Sequence, residues 1–154
     1  MAEVRPFHYA FAVADLEVAR DFYVNTLGAQ EARSDERWVD FNFFGHQLSA
    51  HLIVDYPQPT SPLSLVDGDH IPIPHFGVVL TKPVWEQLAE RLQELEVEFA
   101  LEPKLRFKNT PGEQWSMFLY DPFFNGIEFK CFENREMIFL SLIHISEPTR
   151  PVMI

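Results

Sequence analysis

Two histidines hold the same place in two similar stretches of the chain. His8 opens His8-Tyr9-Ala10-Phe11-Ala12-Val13, and His75 opens His75-Phe76-Gly77-Val78-Val79-Leu80. Alternate side chains of a strand share a face. His8 therefore stands with Ala10 and Ala12, opposite Phe7, Tyr9, Phe11 and Val13, and His75 stands with Gly77, opposite Phe76, Val78 and Leu80. Further on, Glu128 and Lys130 share one face of an extended stretch whose other face carries Ile127, Phe129 and Cys131. A buried carboxylate without a partner costs several kcal/mol, so an inward Glu128 needs a cation, a proton or a metal. Two neutral imidazoles and one carboxylate form the facial triad typical of non-haem Fe(II), and also suit Mn²⁺, Zn²⁺ or Ni²⁺, with coordination positions left open for substrate. His51 shares a face with Ser49 and Gln47; its imidazole makes it a candidate fourth ligand or acid–base group. A plainer reading stays open beside this one, with hydrogen-bonded core histidines and a solvated strand face at Glu128 and Lys130. His46 points to the opposite face and His70 lies in a linker, so neither is favoured as a ligand.

The elements that must position these groups follow from patterning. Phe7–Val13 reads as a strand, and Asp15 is a helix-entry signal before a segment in which Leu16, Ala19, Phe22, Tyr23 and Leu27 form an apolar face that Gly28 ends. Extended stretches follow at Ala29–Ser34, Trp38–Phe44 and His46–Val54, so residues 5–54 read as a βαβββ module. Residues 55–72, rich in Pro, Asp and Ser, read as a linker rather than an element. The pattern then restarts over residues 73–135: a strand at Ile73–Leu80, a helix from Pro83 with Val84, Leu88, Leu92 and Leu95 as its stripe, and strands at Glu98–Phe107, Gln114–Tyr120 and Gly126–Glu133. The repetition points to an internal duplication, in which Gln47 overlies Glu128. The expected fold is α+β, with two paired βαβββ modules closing eight strands around a central cleft and both helices outside.

Composition removes several classes of function. Twelve Lys and Arg against 23 Asp and Glu give a net charge of −11, which opposes binding to nucleic acid or an anionic membrane. No apolar run reaches the roughly 18 residues of a membrane helix, and the N-terminal residues lack a signal-peptide pattern, so the expected location is the cytoplasm. The single cysteine, Cys131, excludes an intrachain disulfide and a cysteine-based zinc site, and reads as packing.

The stretches FHYAFAVADLEVARDFYVNTLG, GHQLSAHL, PHFGVVL and PGEQWSMFLYDPFFNGIEF together resemble the vicinal oxygen chelate superfamily, over roughly residues 5–135. That superfamily includes glyoxalase I, bleomycin-resistance proteins, fosfomycin thiol transferases and extradiol dioxygenases. The resemblance implies a divalent metal with ligands from the first, fifth and eighth strands, which by position are His8, His75 and Glu128. It lies nearest the branch described as extradiol-type dioxygenases, and so implies Fe(II), a catechol-like substrate chelated through two vicinal oxygens, O₂ as co-substrate, and His51 as proton shuttle. It also implies a homodimer, with modules pairing within a chain or between chains.

Two departures qualify that implication. Extradiol enzymes carry a Tyr ahead of the carboxylate ligand where this chain has Phe118, and the outer domain of the large enzymes is absent. Glyoxalase-like isomerisation is the alternative chemistry, but it wants a second glutamate on the fourth strand, where this chain offers Gln47 or His51. Thiol transfer usually comes with a potassium-binding loop not recognisable here, and the non-catalytic alternative is a bleomycin-resistance-like protein that sequesters a small molecule. Lys104, Arg106 and Lys108 alternate along one strand, either as edge protection or to attract a substrate carboxylate. Trp38, Asp40 and Asn42, like Gln114, Ser116 and Phe118, are candidate cleft-lining sets. Residues 140–154 contain SLIHISEPTRP, which resembles a translated sequencing adapter, and the reading sets them aside, His144 included, as a non-native tail.

Overall fold

Strand β1 (His8–Val13) puts its aromatic face inward, as its alternation predicts: Phe11 and Val13 are buried, while Phe7, just ahead of the strand, is exposed. The Asp15 carboxylate caps the next helix, α1 (Leu16–Arg20), by accepting from the Val18 N–H at 3.0 Å. The helix continues from Asp21 to Thr26 with the wider π-type turn and ends at Gly28, whose φ of +80° is the left-handed conformation that favours glycine. Its buried side is Ala19, Tyr23 and Leu27, with the Tyr23 ring 5.4 Å from that of Phe11 and 5.2 Å from that of Phe41. Three strands complete the first sheet: β2 (Gln30–Ser34), β3 (Trp38–Phe43) and β4 (His46–Leu52). Their order is β1-β4-β3-β2, with β1 parallel to β4 and the other pairs antiparallel.

The computed structural model describes residues 3–58 and 62–140; the tail reading for residues 141–154 therefore lies outside the described residues. Two compact units result. The first holds the described residues up to 58 with Leu92–Val97 and Tyr120–Asn125; the second holds Pro62–Arg91, Glu98–Leu119 and the described residues from Gly126 onward.

The second unit repeats the topology of the first. β7 (His75–Val79), α2 (Lys82–Glu94), β8 (Phe99–Arg106), β9 (Gln114–Tyr120) and β10 (Gly126–Phe132) give a sheet ordered β7-β10-β9-β8, with β7 parallel to β10. All eight expected strands and both helices are present, within two residues of their expected ends. The buried stripe of α2 differs from the expected one. Trp85, Leu88, Ala89 and Leu92 are buried, whereas Val84 and Leu95 at the ends of the predicted stripe are exposed, because the larger Trp85 ring turns the helix inward and donates Nε1–H to the Phe129 carbonyl at 2.8 Å.

One further element stands where the sequence reads as linker. Residues 63–72 form a hairpin of β5 (Leu63–Val66) and β6 (Asp69–Pro72), turning at Asp67-Gly68 with both residues at positive φ. Asp-Gly between two short strands is a hairpin signal in its own right. Proline at both ends and only four residues per strand conceal it in a pattern search.

Candidate metal centre

His75 and Glu128 meet on one face of the second sheet. The His75 ring carries a proton at Nδ1, which donates to the Pro72 carbonyl at 2.7 Å; this fixes the ring and leaves Nε2 facing Glu128 Oε1 at 3.2 Å. The other carboxylate oxygen, Oε2, accepts from Ser116 Oγ at 2.6 Å. Glu128 is 7% exposed, so these partners decide its charge. Burial pushes its carboxyl up, but the His75 hydrogen bond, the Lys130 ammonium and the Ser116 hydroxyl together hold it below the usual carboxylate range. The Glu128 bond raises His75 against the opposing cost of burial.

Backbone packing makes this meeting possible. Glu128 is the register partner of Gly77, and a Cβ on Gly77 would lie 1.7 Å from the Glu128 carbonyl oxygen. The glycine is therefore demanded by the approach of β10, as well as leaving space on the face it shares with His75. Phe118, in the place where extradiol enzymes carry tyrosine, is 1% exposed and sets its ring edge-on to His75 with centroids 4.9 Å apart.

His8 sits in the first sheet in a comparable state. Its Nδ1 is 2.7 Å from Gln47 Oε1, which can only accept, so Nδ1 donates and the Nε2 lone pair is left open. Gln47 continues through Nε2 to Asp40 Oδ2 at 3.4 Å, and Ser49 Oγ donates to Asp40 Oδ1 at 2.6 Å. Asp40 is 4% exposed and its face, shared with Trp38 and Asn42, is the one that carries Gln47, Ser49 and His51.

The pairing of strands corrects the expected equivalence of Gln47 and Glu128. Gln47 pairs with His8 itself, as Gly126 pairs with His75; Glu128 pairs two residues further on, at Gly77, and the matching residue of the first sheet is Ser49, opposite Ala10. A letter-by-letter overlay on Gly45 and Gly126 misses this shift because it aligns turns rather than ladders. His51, exposed and paired with Ala12, stands four residues from Gln47, about 13 Å along the strand.

Arg106 is the residue whose role sequence reasoning saw only in part. It is 4% exposed, so it is no edge guard. Its Nη2 donates to the Val66 carbonyl at 2.9 Å, its Nε lies 3.3 Å from Asp69 Oδ2, and its Nη1 lies 3.9 Å from Glu128 Oε2. Lys104 also pairs with Asp69, at 3.1 Å, and Asp67 accepts from the Phe107 N–H at 2.8 Å. The unexpected hairpin is thus bound to β8 beside Glu128. Lys108 lies beyond the end of β8 and is exposed.

His8 belongs to the first unit, and His75 with Glu128 to the second; among the described residues no three His, Cys, Asp or Glu side chains gather at one point. A family model described as the Glyoxalase/Bleomycin resistance protein/Dioxygenase superfamily matches residues 5–129. The chain belongs to this superfamily. Among solved structures, it is similar to a glyoxalase/bleomycin resistance protein/dioxygenase from Alicyclobacillus acidocaldarius at 30% identity and TM-score 0.74, covering 87% of this chain and 96% of that one. It shares its fold with the genomically encoded fosfomycin resistance protein FosX from Listeria monocytogenes, at 17% identity, 89% and 98% coverage and TM-score 0.61. A glyoxalase/dioxygenase from Nostoc punctiforme shares it too, at 18% identity, 82% and 90% coverage and TM-score 0.59. No curated protein matches the chain.

Members of this superfamily typically bind a divalent metal, and the donor chemistry here fits one. Both histidines spend Nδ1–H on an acceptor, which leaves Nε2 as the nitrogen that would bind a metal. His75 Nε2 and Glu128 Oε1 share a proton at 3.2 Å, and a divalent ion bound by both would take that proton's place.

Proposed function

We propose that His8, His75 and Glu128 hold one divalent metal, Fe(II) by preference with Mn²⁺, Zn²⁺ or Ni²⁺ able to replace it, and that the protein is an extradiol-type dioxygenase of a small catechol-like or other vicinal-oxygen substrate. The observation that carries this reading is the donor set. The Nε2 atoms of two imidazoles and one carboxylate make up that set, and the first-sheet residue matching Glu128 is Ser49, whose hydroxyl is already given to Asp40. Three protein ligands would leave a bound divalent ion open to substrate and O₂, whereas glyoxalase-like isomerisation calls for a second glutamate. Bound there, the metal supplies Lewis acidity and a path for electrons between substrate and O₂.

The protein's own residues do the rest. Pro72 and Gln47 fix the tautomers of the two histidines. Ser116 and Arg106 hold the far oxygen of Glu128, so that Oε1 is the one presented toward His75. Phe118 supplies an apolar wall and no hydroxyl, so any proton delivered to substrate comes from elsewhere, and His51 is an exposed titratable group on the first-sheet face outside the ligand set. The protein is read as cytoplasmic and homodimeric, with the two modules of a centre drawn from one chain or from two.

Metal content by plasma mass spectrometry after anaerobic purification tests the reading. His8→Ala, His75→Ala and Glu128→Ala should each lose most of the bound iron, a drop of at least tenfold, with far-UV circular dichroism unchanged. Wild-type iron in all three variants overturns the site. Uptake of zinc or nickel without turnover of any catechol under O₂ would favour the isomerase reading, and no uptake of any ion would favour a sequestering protein. His51→Ala should spare iron and lower turnover; unchanged turnover removes its acid–base role.

A further inference from the structure

On the sheet face that carries His75 and Glu128, three cations approach two carboxylates. Lys104 and Arg106 are engaged with Asp69, and Arg106 is also held by the Val66 carbonyl. Lys130 differs. It lies two residues from Glu128 on the same face of β10, its side chain is 33% exposed, and its Nζ stands 4.0 Å from Glu128 Oε1 and 5.9 Å from the centre of the Phe132 ring. The carboxylate it approaches is therefore the one read as a metal ligand.

That placement is costly for a metal centre. An ammonium so close to a ligating oxygen repels a dication, and once Glu128 is given to the metal, Lys130 loses its counter-charge in a half-buried setting. The charge balance of the face then calls for an anion. In a chain of net charge −11, a positive point of this kind also selects where an acidic molecule docks.

We propose that Lys130 is a specificity-determining residue that receives an acidic group of the substrate, so that the substrate class is a vicinal-oxygen compound bearing a carboxylate. This rests on the metal reading above. Of the cations on this face, Lys130 alone combines exposure with freedom from Asp69, which separates it from the Lys104, Arg106 and Lys108 trio expected from sequence.

The test uses full-length protein loaded with Zn(II), which does not turn over with O₂, and calorimetric binding of 3,4-dihydroxybenzoate against neutral 4-methylcatechol. Wild type should bind the acid at least tenfold more tightly. Lys130→Gln should abolish that preference, leave the neutral probe within about twofold, and bind Zn(II) more tightly than wild type; Lys130→Arg should restore the preference. This crossed result, weaker acid and stronger metal, is one that mere loss of packing does not produce. Zn(II) binding with no preference for the acid in wild type, or a preference that survives Lys130→Gln, overturns this inference and leaves the metal reading standing. Failure of wild type to bind Zn(II) overturns both.

Discussion

Asp121 shows how burial and hydrogen bonding compete at a single residue. Its carboxylate accepts from Tyr23 Oη, from the Phe123 and Asn125 backbone N–H groups and from Asn125 Nδ2, all at 2.8 Å. Burial nevertheless outweighs these four donors and raises its titration above the ordinary Asp value. A group raised in the folded state contributes stability that is complete below its unfolded value, about 4, and is lost as pH rises through the folded value. Denaturant unfolding from pH 3.5 to 7 should therefore show Asp121→Asn gaining on wild type as pH increases, whatever the fixed cost of the substitution. A pH-independent difference between the two would refute the assignment. Cys131 is the simpler case: buried, its thiol is pushed up to about 11, which agrees with the packing role read from its parity. Cys131 was legible because alternation places it. The states of His75 and Glu128 were not, since the Pro72 carbonyl and the Ser116 hydroxyl that decide them come from other segments.

Among the elements, β7 and β10 are joined more closely than side chains allow, and Gly77 is the reason. Gly77→Ala places a methyl group against backbone rather than a movable side chain, so β10 must shift. The expected cost is about 3 kcal/mol or more, read as a lower urea midpoint, together with loss of metal because Glu128 moves with its own carbonyl. A stable Gly77→Ala variant with full metal content would mean that the strands part without disturbing the centre. Strands and helices were readable because hydrophobic period follows local geometry. The β5–β6 hairpin escaped because its anchors are distant in sequence: Arg106 reaches Val66 and Asp69 from about 40 residues away. Register escaped for a related reason, since the two-residue offset between Gln47 and Glu128 is a property of paired strands.

At the scale of the whole molecule, a ligand that binds only the folded chain raises its stability by mass action. Zn(II) at a hundred times its dissociation constant should add about 2.7 kcal/mol, which for a chain of this length corresponds to a rise in Tm of about 5–10 °C. Scanning fluorimetry should show that rise in wild type and none in Glu128→Ala; equal shifts in both would place the ion elsewhere. The duplication itself was legible in the whole sequence, through two strand-helix openings with histidine at the same place, and the two sheets share one strand order. The halves nonetheless differ in a way that bears on how such a duplicate is recognised. In the first, a carboxylate on β3 receives the hydroxyl of Ser49 on β4; in the second, the hydroxyl of Ser116 on β9 is given to a carboxylate on β10. Compared one letter at a time, Asp40 against Ser116 and Ser49 against Glu128 count as two unrelated changes. Taken as pairs they are one kind of bond, hydroxyl to carboxylate, with its ends exchanged, and likeness between the halves is better measured in partnerships than in residues.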